Sequence, residues 1–191
     1  AGGLSMKVVE EKLLSLQNVD KNFYSIKLHF SKICKKFTES KPIVATIDRS
    51  KLGKIMLEKA VKSGAEIKTG MEVREIKKDL IVANGREIKY NYLVGADGSN
   101  STVRKFLGVK TEKILSTLQY TIPQEIQKFE EMEYFFDSRI FNGYFWIFPH
   151  KNYTIVGCGC YPKTIWKKSF NLKNTFEKWL KDHQIKTDGL K

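Results

Sequence analysis

The 191-residue sequence predicts a fold between α+β and α/β, in two parts that meet near residue 110. Three observations carry that expectation. Residues 92–108 read as a strand, a tight turn and a short helix, with apolar Leu93 and Val94 ahead of the turn residues Gly95 to Gly98. A helical stripe over residues 50–63 leads on to a β-hairpin built around Asn84-Gly85, a favoured two-residue turn. From Thr111 the texture changes to four alternating runs rich in aromatics, which suits an antiparallel sheet with one buried face. Within residues 1–110 the run from Ile43, the helix after it, the Glu66 strand and the hairpin feeding the Asp97 strand are expected to form a βαβββ-type unit, and residues 111–191 a sheet with a C-terminal helix.

In chain order, Ser5 is placed to cap a helix from Met6 to Leu16, with Val8, Val9, Leu13, Leu14 and Leu16 as its apolar stripe. Phe23 to Phe30 alternates as a strand, and Ile33 to Phe37 follows as its antiparallel partner across Ser31-Lys32. Ile43 to Ile47 is another β-prone run. Asp48 or Ser50 caps the next helix, whose Leu52, Ile55, Met56 and Ala60 share a face and which Gly64 ends. Gly53 within it costs about 1 kcal/mol against Ala, which marks it for a close helix–sheet contact. Glu66 to Lys77 reads as a long strand, and Leu80–Ala83 with Arg86–Tyr90 as the hairpin. Ser99, Asn100 and Ser101 all suit the N-cap of the helix that Gly108 stops.

In the second part the strands are Leu115–Ile122, Glu130–Asp137, Gly143–Phe148 and Tyr153–Cys160, with turns at Asn142-Gly143 and Lys151-Asn152. Period two puts Tyr144, Trp146 and Phe148 on one face, and Pro149 ends their strand. Asn171 caps a last amphipathic helix to Ile185, with Leu172, Phe176, Trp179 and Leu180 inward, before a tail at Asp188-Gly189.

Composition narrows the function classes. Hydrophobic residues at 41% exclude a largely disordered chain, and no run approaches the roughly 18 apolar residues of a membrane span. Nothing at the N-terminus resembles a signal peptide, so the chain is expected to be cytoplasmic, at most peripheral to a membrane. The net charge of +13 raises anionic partners, but the lysines are scattered, and the densest groups are separate pairs such as Lys35-Lys36, Lys77-Lys78 and Lys167-Lys168. That spread reads as a solvated surface with a phosphate-bearing ligand as second contributor, and it argues against nucleic acid. Three cysteines, Cys34, Cys158 and Cys160, with no secretory signal point to free thiols. No nearby ligands complete a metal site around Cys158 and Cys160, and His29, His150 and His183 are dispersed.

The run "YLVGADGSNSTVRKFLG" resembles the Asp-Gly fingerprint of FAD-dependent monooxygenases and reductases of the aromatic-hydroxylase type, the geranylgeranyl reductase branch especially. In that family the turn lies near the flavin pyrophosphate and ribityl chain, which implies cofactor roles for Asp97 and Gly98. "Asp-Arg-x-x-Leu" resembles the same family and places Arg49 on the pyrophosphate, while the backbone at Val73 is expected to pass the adenine. Gly2, Gly3 and Leu4 match a "Gly-Gly-Leu-Ser"-like loop beside the isoalloxazine. "Tyr-x-Trp-x-Phe-Pro" followed by "Val-Gly-x-Gly" resembles the family's substrate-domain signature, so Tyr144, Trp146 and Phe148 are expected to line a tunnel for an isoprenoid chain, with Lys167 or Lys168 at a lipid phosphate.

The fold this implies is a partial FAD-binding domain over residues 1–110 and a substrate-binding sheet with a C-terminal helix over residues 111–191. The resemblance implies FAD as cofactor, with NAD(P)H or a ferredoxin-type protein as electron donor, and reduction of carbon–carbon double bonds in an isoprenoid lipid. Peripheral membrane contact is a further expectation. The family's first Gly-x-Gly-x-x-Gly cradle and its later Gly-Asp motif are absent, so the sequence reads as a fragment completed by a preceding segment or an oligomer partner. The family's catalytic cysteine would fall before residue 1, and no residue stands out as a proton donor. Two alternatives keep the same motifs: a related monooxygenase or halogenase, and a truncated module that binds a ligand without turnover.

Overall fold

The computed structural model of the chain describes residues 2–11, 14–111, 114–161 and 170–187. They fall into two compact units, residues 1–57 together with 113–191, and residues 58–112.

The larger unit is built on a six-stranded sheet in the order β4-β3-β10-β11-β12-β9. Its members are β3 (Ser25–Phe30), β4 (Ile33–Thr38), β9 (Ser116–Pro123), β10 (Met132–Phe136), β11 (Tyr144–Pro149) and β12 (Tyr153–Cys160). The four late strands and the β3–β4 hairpin form where the alternation predicts them. Ser31 takes a φ of 53° in the hairpin turn, and Asn142 one of 53° ahead of β11.

Two topological features depart from the expected layout. β3 and β4 come from the part of the chain read with the cofactor half, yet β3 pairs with β10. That pairing is parallel, Tyr134 opposite Leu28 and Phe136 opposite Phe30, so the sheet is mixed rather than wholly antiparallel. The join buries apolar residues on both sides: Ile26, paired with Met132, packs against the cluster that holds Met132 and Trp146, and His29 stacks on Phe135 at 4.1 Å.

Beside this sheet, β1 (Gly3–Ser5), β5 (Val44–Thr46) and β2 (Lys21–Phe23) make a small antiparallel sheet with β5 central. The run expected from Phe23 to Phe30 is thus cut at Tyr24, because Phe23 pairs with Val44 while Ser25 onward pairs with β4. The helix expected over Met6–Leu16 shrinks to α1 (Lys7–Glu10) and a 3-10 turn at Leu16–Asn18, with residues 12 and 13 outside the described residues. A four-residue helix is far below the length at which helical propagation offsets nucleation. The last helix, α4 (Leu172–Asp182), matches its expectation: Asn171 accepts from the Asn174 amide, and Phe176, Trp179 and Leu180 are buried.

α2 (Arg49–Lys62) is capped by Asp48, whose Oδ1 accepts the Lys51 N–H at 3.0 Å, and ends at Gly64 with a φ of 91°. No residue of α2 is buried, and a Cβ at Gly53 would meet nothing within 4 Å. The close helix–sheet contact expected at Gly53 is therefore not made among the described residues.

The smaller unit carries β6 (Val73–Ile76), β7 (Leu80–Ala83), β8 (Arg86–Lys89) and α3 (Thr102–Phe106). The Asn84-Gly85 turn has both residues at positive φ, 48° and 76°, as its turn type requires. The long strand expected from Glu66 is confined to Val73–Ile76, where β7 supplies a partner; ahead of it the Glu72 N–H donates to Asn84 Oδ1 and the Glu72 carbonyl accepts from the Asn84 N–H, outside the ladder. Tyr92–Val94, expected as a buried strand, is extended but unpaired, with Tyr92 and Val94 92% and 85% exposed. β-propensity alone does not make a strand; the ladder needs a neighbour, and no described residue supplies one.

Candidate functional site

β11 organises the larger unit's aromatic residues by simple alternation. Phe145 and Ile147 turn toward α4, where Phe145 stacks on Trp179 at 4.5 Å and 4°. Trp146 and Phe148 turn the other way, into a cluster with Phe23, Met132 and Ile155. Tyr144 shares their face: its ring lies 5.6 Å from Trp146 and 5.8 Å from Tyr134.

Trp146 can lie against the sheet because β12 presents glycines beneath it. Gly157 is its cross-strand partner, and a Cβ there would come within 2.6 Å of Trp146 Cε2 and 2.7 Å of the Leu118 carbonyl oxygen. A Cβ at Gly159, opposite Tyr144, would stand 3.5 Å from Trp146 Cζ3. The "Trp-x-Phe-Pro" and "Val-Gly-x-Gly" patterns are therefore two halves of one packing arrangement. The indole N–H is buried and has no acceptor among the described residues.

In front of Tyr144 and Trp146 lies a groove of about 680 Å³, well within the range of small-molecule sites. Leu115, Phe136, Ile140, Phe141 and Tyr161 contribute most of its apolar lining, with Asp137 and Ser138 as polar members. Asp137 is held below the usual carboxylate range by the Arg139 guanidinium, which donates to both its oxygens at 2.6–3.0 Å. It is ionised near neutral pH and does not serve as a proton donor. Tyr134, beside the groove-lining Tyr144, is pushed up to about 12 by burial and stays a neutral phenol. Phe148 is not a lining residue; its ring packs against Gly3, where a Cβ would stand 3.2 Å from Phe148 Cε2.

A second, smaller pocket of about 300 Å³ gathers residues far apart in sequence: Gly2, Asp48, Arg49, Thr121, His150 and Tyr153 among them. Gly2 has a φ of 81°, and a Cβ on it would stand 2.5 Å from the Ile47 carbonyl and 2.9 Å from His150 Cε1. Gly3 and Leu4 follow in β1, paired with Thr46 and Ala45. Arg49 is exposed at the start of α2 and makes no ion pair among the described residues. Asp48 accepts from the Lys51 amide and, at 2.9 Å, from the Tyr153 hydroxyl, and these bonds hold its carboxyl low.

His150 is fully buried, stacks on Tyr153 at 4.5 Å, and bonds through Nδ1 to Asp20 Oδ2 at 3.0 Å. Sequence reasoning missed this cluster. The only signal was the position of His150 directly after Phe148-Pro149, and its partner lies 130 residues away.

In the smaller unit, Asp97 acts as a helix cap. Its Oδ1 accepts from Ser101 Oγ at 2.5 Å, and its Oδ2 from the amides of Thr102 and Val103 at 2.5 and 3.3 Å. Ser101 in turn accepts from the Arg104 amide, which makes it the N-cap. The Ser101 hydroxyl is the chief cause of a carboxyl pKa below the ordinary value. Gly98 has a φ of 80°, and Gly95 packs against Val103, where a Cβ would come 2.7 Å from Val103 Cβ. Val73 opens β6 beside a bulge. Lys167 and Lys168 lie outside the described residues. Among the described residues no group of three or more His, Cys, Asp or Glu is placed to hold a metal, and Cys158 and Cys160 are buried free thiols.

The family model of the FAD binding domain matches residues 9–187. A rifampicin monooxygenase of Streptomyces venezuelae is 34% identical over 83 residues, covering 37% of this chain and 17% of its own length. A digeranylgeranylglycerophospholipid reductase of Methanococcus vannielii is 27% identical over 126 residues, covering 59% of this chain and 32% of its own. The crystal structure of a geranylgeranyl bacteriochlorophyll reductase-like protein from Thermoplasma acidophilum superposes with a TM-score of 0.81 at 21% identity, covering 95% of this chain and 51% of that one. The chain thus spans about a third or less of the curated relatives it matches, and about half of that solved structure.

Proposed function

The chain belongs to the FAD-binding domain family, and on that premise we propose that it is part of a flavoprotein reductase acting on an isoprenoid lipid. The observation that carries the proposal is the apolar groove in front of Tyr144 and Trp146. A polyprenyl chain offers no hydrogen-bonding groups, so its site must be long, apolar and dry, with few polar members. Tyr144 and Trp146 bind and orient the chain, and Phe148 supports Trp146 from within the sheet. Neither Asp137 nor Tyr134 is poised to give up a proton near neutral pH; Asp137 lines the groove, and Tyr134 packs beside the lining residue Tyr144.

The residues fit parts of a flavin nucleotide. Gly2 offers a backbone that no side chain would allow, and Arg49 presents a free guanidinium at a helix N-terminus, a combination suited to a phosphate oxygen. Gly2, Gly3, Leu4 and Arg49 would contact FAD, Asp97 and Gly98 keep the cofactor assignment that the Asp-Gly motif implies, and Val73 keeps the main-chain role beside the adenine that the family resemblance implies. When bound, FAD supplies the hydride, with NAD(P)H or a ferredoxin-type protein as the source of electrons. The small pocket holds only a portion of such a ligand, so FAD is expected to bind this chain weakly.

Two measurements test the proposal. Incubation with dithionite-reduced FAD and a geranylgeranyl glycerophospholipid, followed by mass spectrometry, should show addition of a hydrogen pair per reduced double bond. Oxygen-dependent hydroxylation of an aromatic substrate instead would overturn it in favour of a monooxygenase.

A further inference from the structure

The groove does not end at β11. Phe136, one of its lining residues, stacks on Phe30 at 4.7 Å and 6°, and Phe30 is paired across the hairpin with Ile33 on the edge strand β4. Counting by two along β4, Ile33, Lys35 and Phe37 share that face, which is continuous with Leu28, Tyr134 and Trp146 through the pairing register. The inner residues of this face are covered and the outer ones are not: Phe30, Ile33 and Phe37 are 44%, 60% and 49% exposed.

The charges on the hairpin are divided by face. On the opposite face Lys27 and Lys36 are both paired with Glu131, and His29 bonds Glu133. Lys32 in the turn and Lys35 between Ile33 and Phe37 have no carboxylate partner among the described residues. An exposed edge strand with apolar side chains flanked by unpaired lysines matches an anionic, apolar-cored surface.

We propose that the β3–β4 hairpin docks the protein on an anionic lipid bilayer, with Ile33 and Phe37 entering the acyl boundary and Lys32 and Lys35 meeting lipid phosphates. The occupant is argued from two features: the complementary charge of Lys32 and Lys35, and the unbroken apolar path from Ile33 through Phe30 and Phe136 into the groove. The role of that path as a lipid entrance rests on the reductase reading above. Docking itself does not, because it is measured without cofactor or substrate.

The test is co-sedimentation of the full chain with vesicles of phosphatidylcholine alone or with one third phosphatidylglycerol. The chain should partition to the anionic vesicles at least about tenfold better than to neutral ones, and high salt should abolish the difference. The double variant Lys32→Glu, Lys35→Glu should lose about tenfold in partitioning, and Ile33→Thr, Phe37→Thr a comparable amount. Reversal of the exposed Lys54 and Lys62 on α2 should change partitioning less than about twofold, since those lysines lie outside the hairpin. Circular dichroism of each variant verifies the fold.

Hairpin variants that sediment like the parent overturn the proposal, as does an equal loss in the α2 variant, which would mean general charge attraction. A dimer in solution that the hairpin variants convert to monomer, with vesicle binding unchanged, would assign β4 to a second copy instead. Vesicle binding without double-bond reduction would leave docking intact and refute only the reductase.

Discussion

Substituting Gly157 by alanine tests whether Trp146 is held flat by a bare strip of β12. The new methyl would stand 2.6 Å from Trp146 Cε2 and 2.7 Å from the Leu118 carbonyl oxygen. The indole can tilt, but the carbonyl belongs to the paired neighbour strand β9 and cannot. Overpacking of this kind costs about 1–3 kcal/mol. For a chain of this size that is a fall in melting temperature of about 2–12 °C.

The same displacement should disturb Trp146 at the groove, so quenching of tryptophan fluorescence by geranylgeraniol should weaken along with stability. A double-mutant cycle isolates the cause. In a Trp146→Leu background the indole clash is gone and only the carbonyl contact remains, so Gly157→Ala should cost less than in the parent, with a coupling of about 0.5–3 kcal/mol. Strict additivity, or a Gly157→Ala variant with unchanged melting temperature and unchanged quenching, would refute the packing argument.

Three further outcomes follow from the geometry. Asp97→Ala should lower the amide-exchange protection factors of Thr102 and Val103, and in the parent the same loss of protection, taken relative to the intrinsic rate at each pH, should appear as pH falls below the carboxylate range. The Asp97 pKa is depressed by Ser101 and the helix amides, so its stabilisation is full above the unfolded-state value and lost as pH drops through the folded one. Tyr153→Phe should destabilise by about 1 kcal/mol and let the Asp48 carboxyl titrate at higher pH by NMR, since the lost bond favours the ionised form. Thiol titration of the native chain should modify Cys34 alone, because burial pushes Cys158 up to about 12 and raises Cys160 too; all three should react after denaturation.

What the sequence made legible was whatever local chemistry decides. The alternation of Tyr144 to Phe148, the Asn84-Gly85 turn and the Asn171 cap each depend on neighbours within a few residues, and each formed as expected. Tyr92–Val94 failed because a β-prone run needs a partner strand, and the described residues contain none for it. Of Met6–Leu16 the described residues form only the helix Lys7–Glu10 and the start of a 3-10 turn at Leu16, since an apolar stripe of three turns is marginal as a helix by itself. The parallel pairing of β3 with β10 and the bond between His150 and Asp20 join residues more than 100 apart, and no periodicity announces such contacts. Asp97's capping bonds were foreseeable from the Ser101 and Thr102 that follow it; the gathering of His150 and Tyr153 beside Arg49 and Gly2 was not.

The most direct test of the groove is photolabelling of the chain with a diazirine-bearing geranylgeranyl probe, read by peptide mass spectrometry. Label should fall on the peptides carrying Phe136 to Phe141 and Tyr144 to Trp146, and excess geranylgeraniol should compete it away. Label confined to other peptides, or indifferent to the competitor, would mean that the aromatic face is only core.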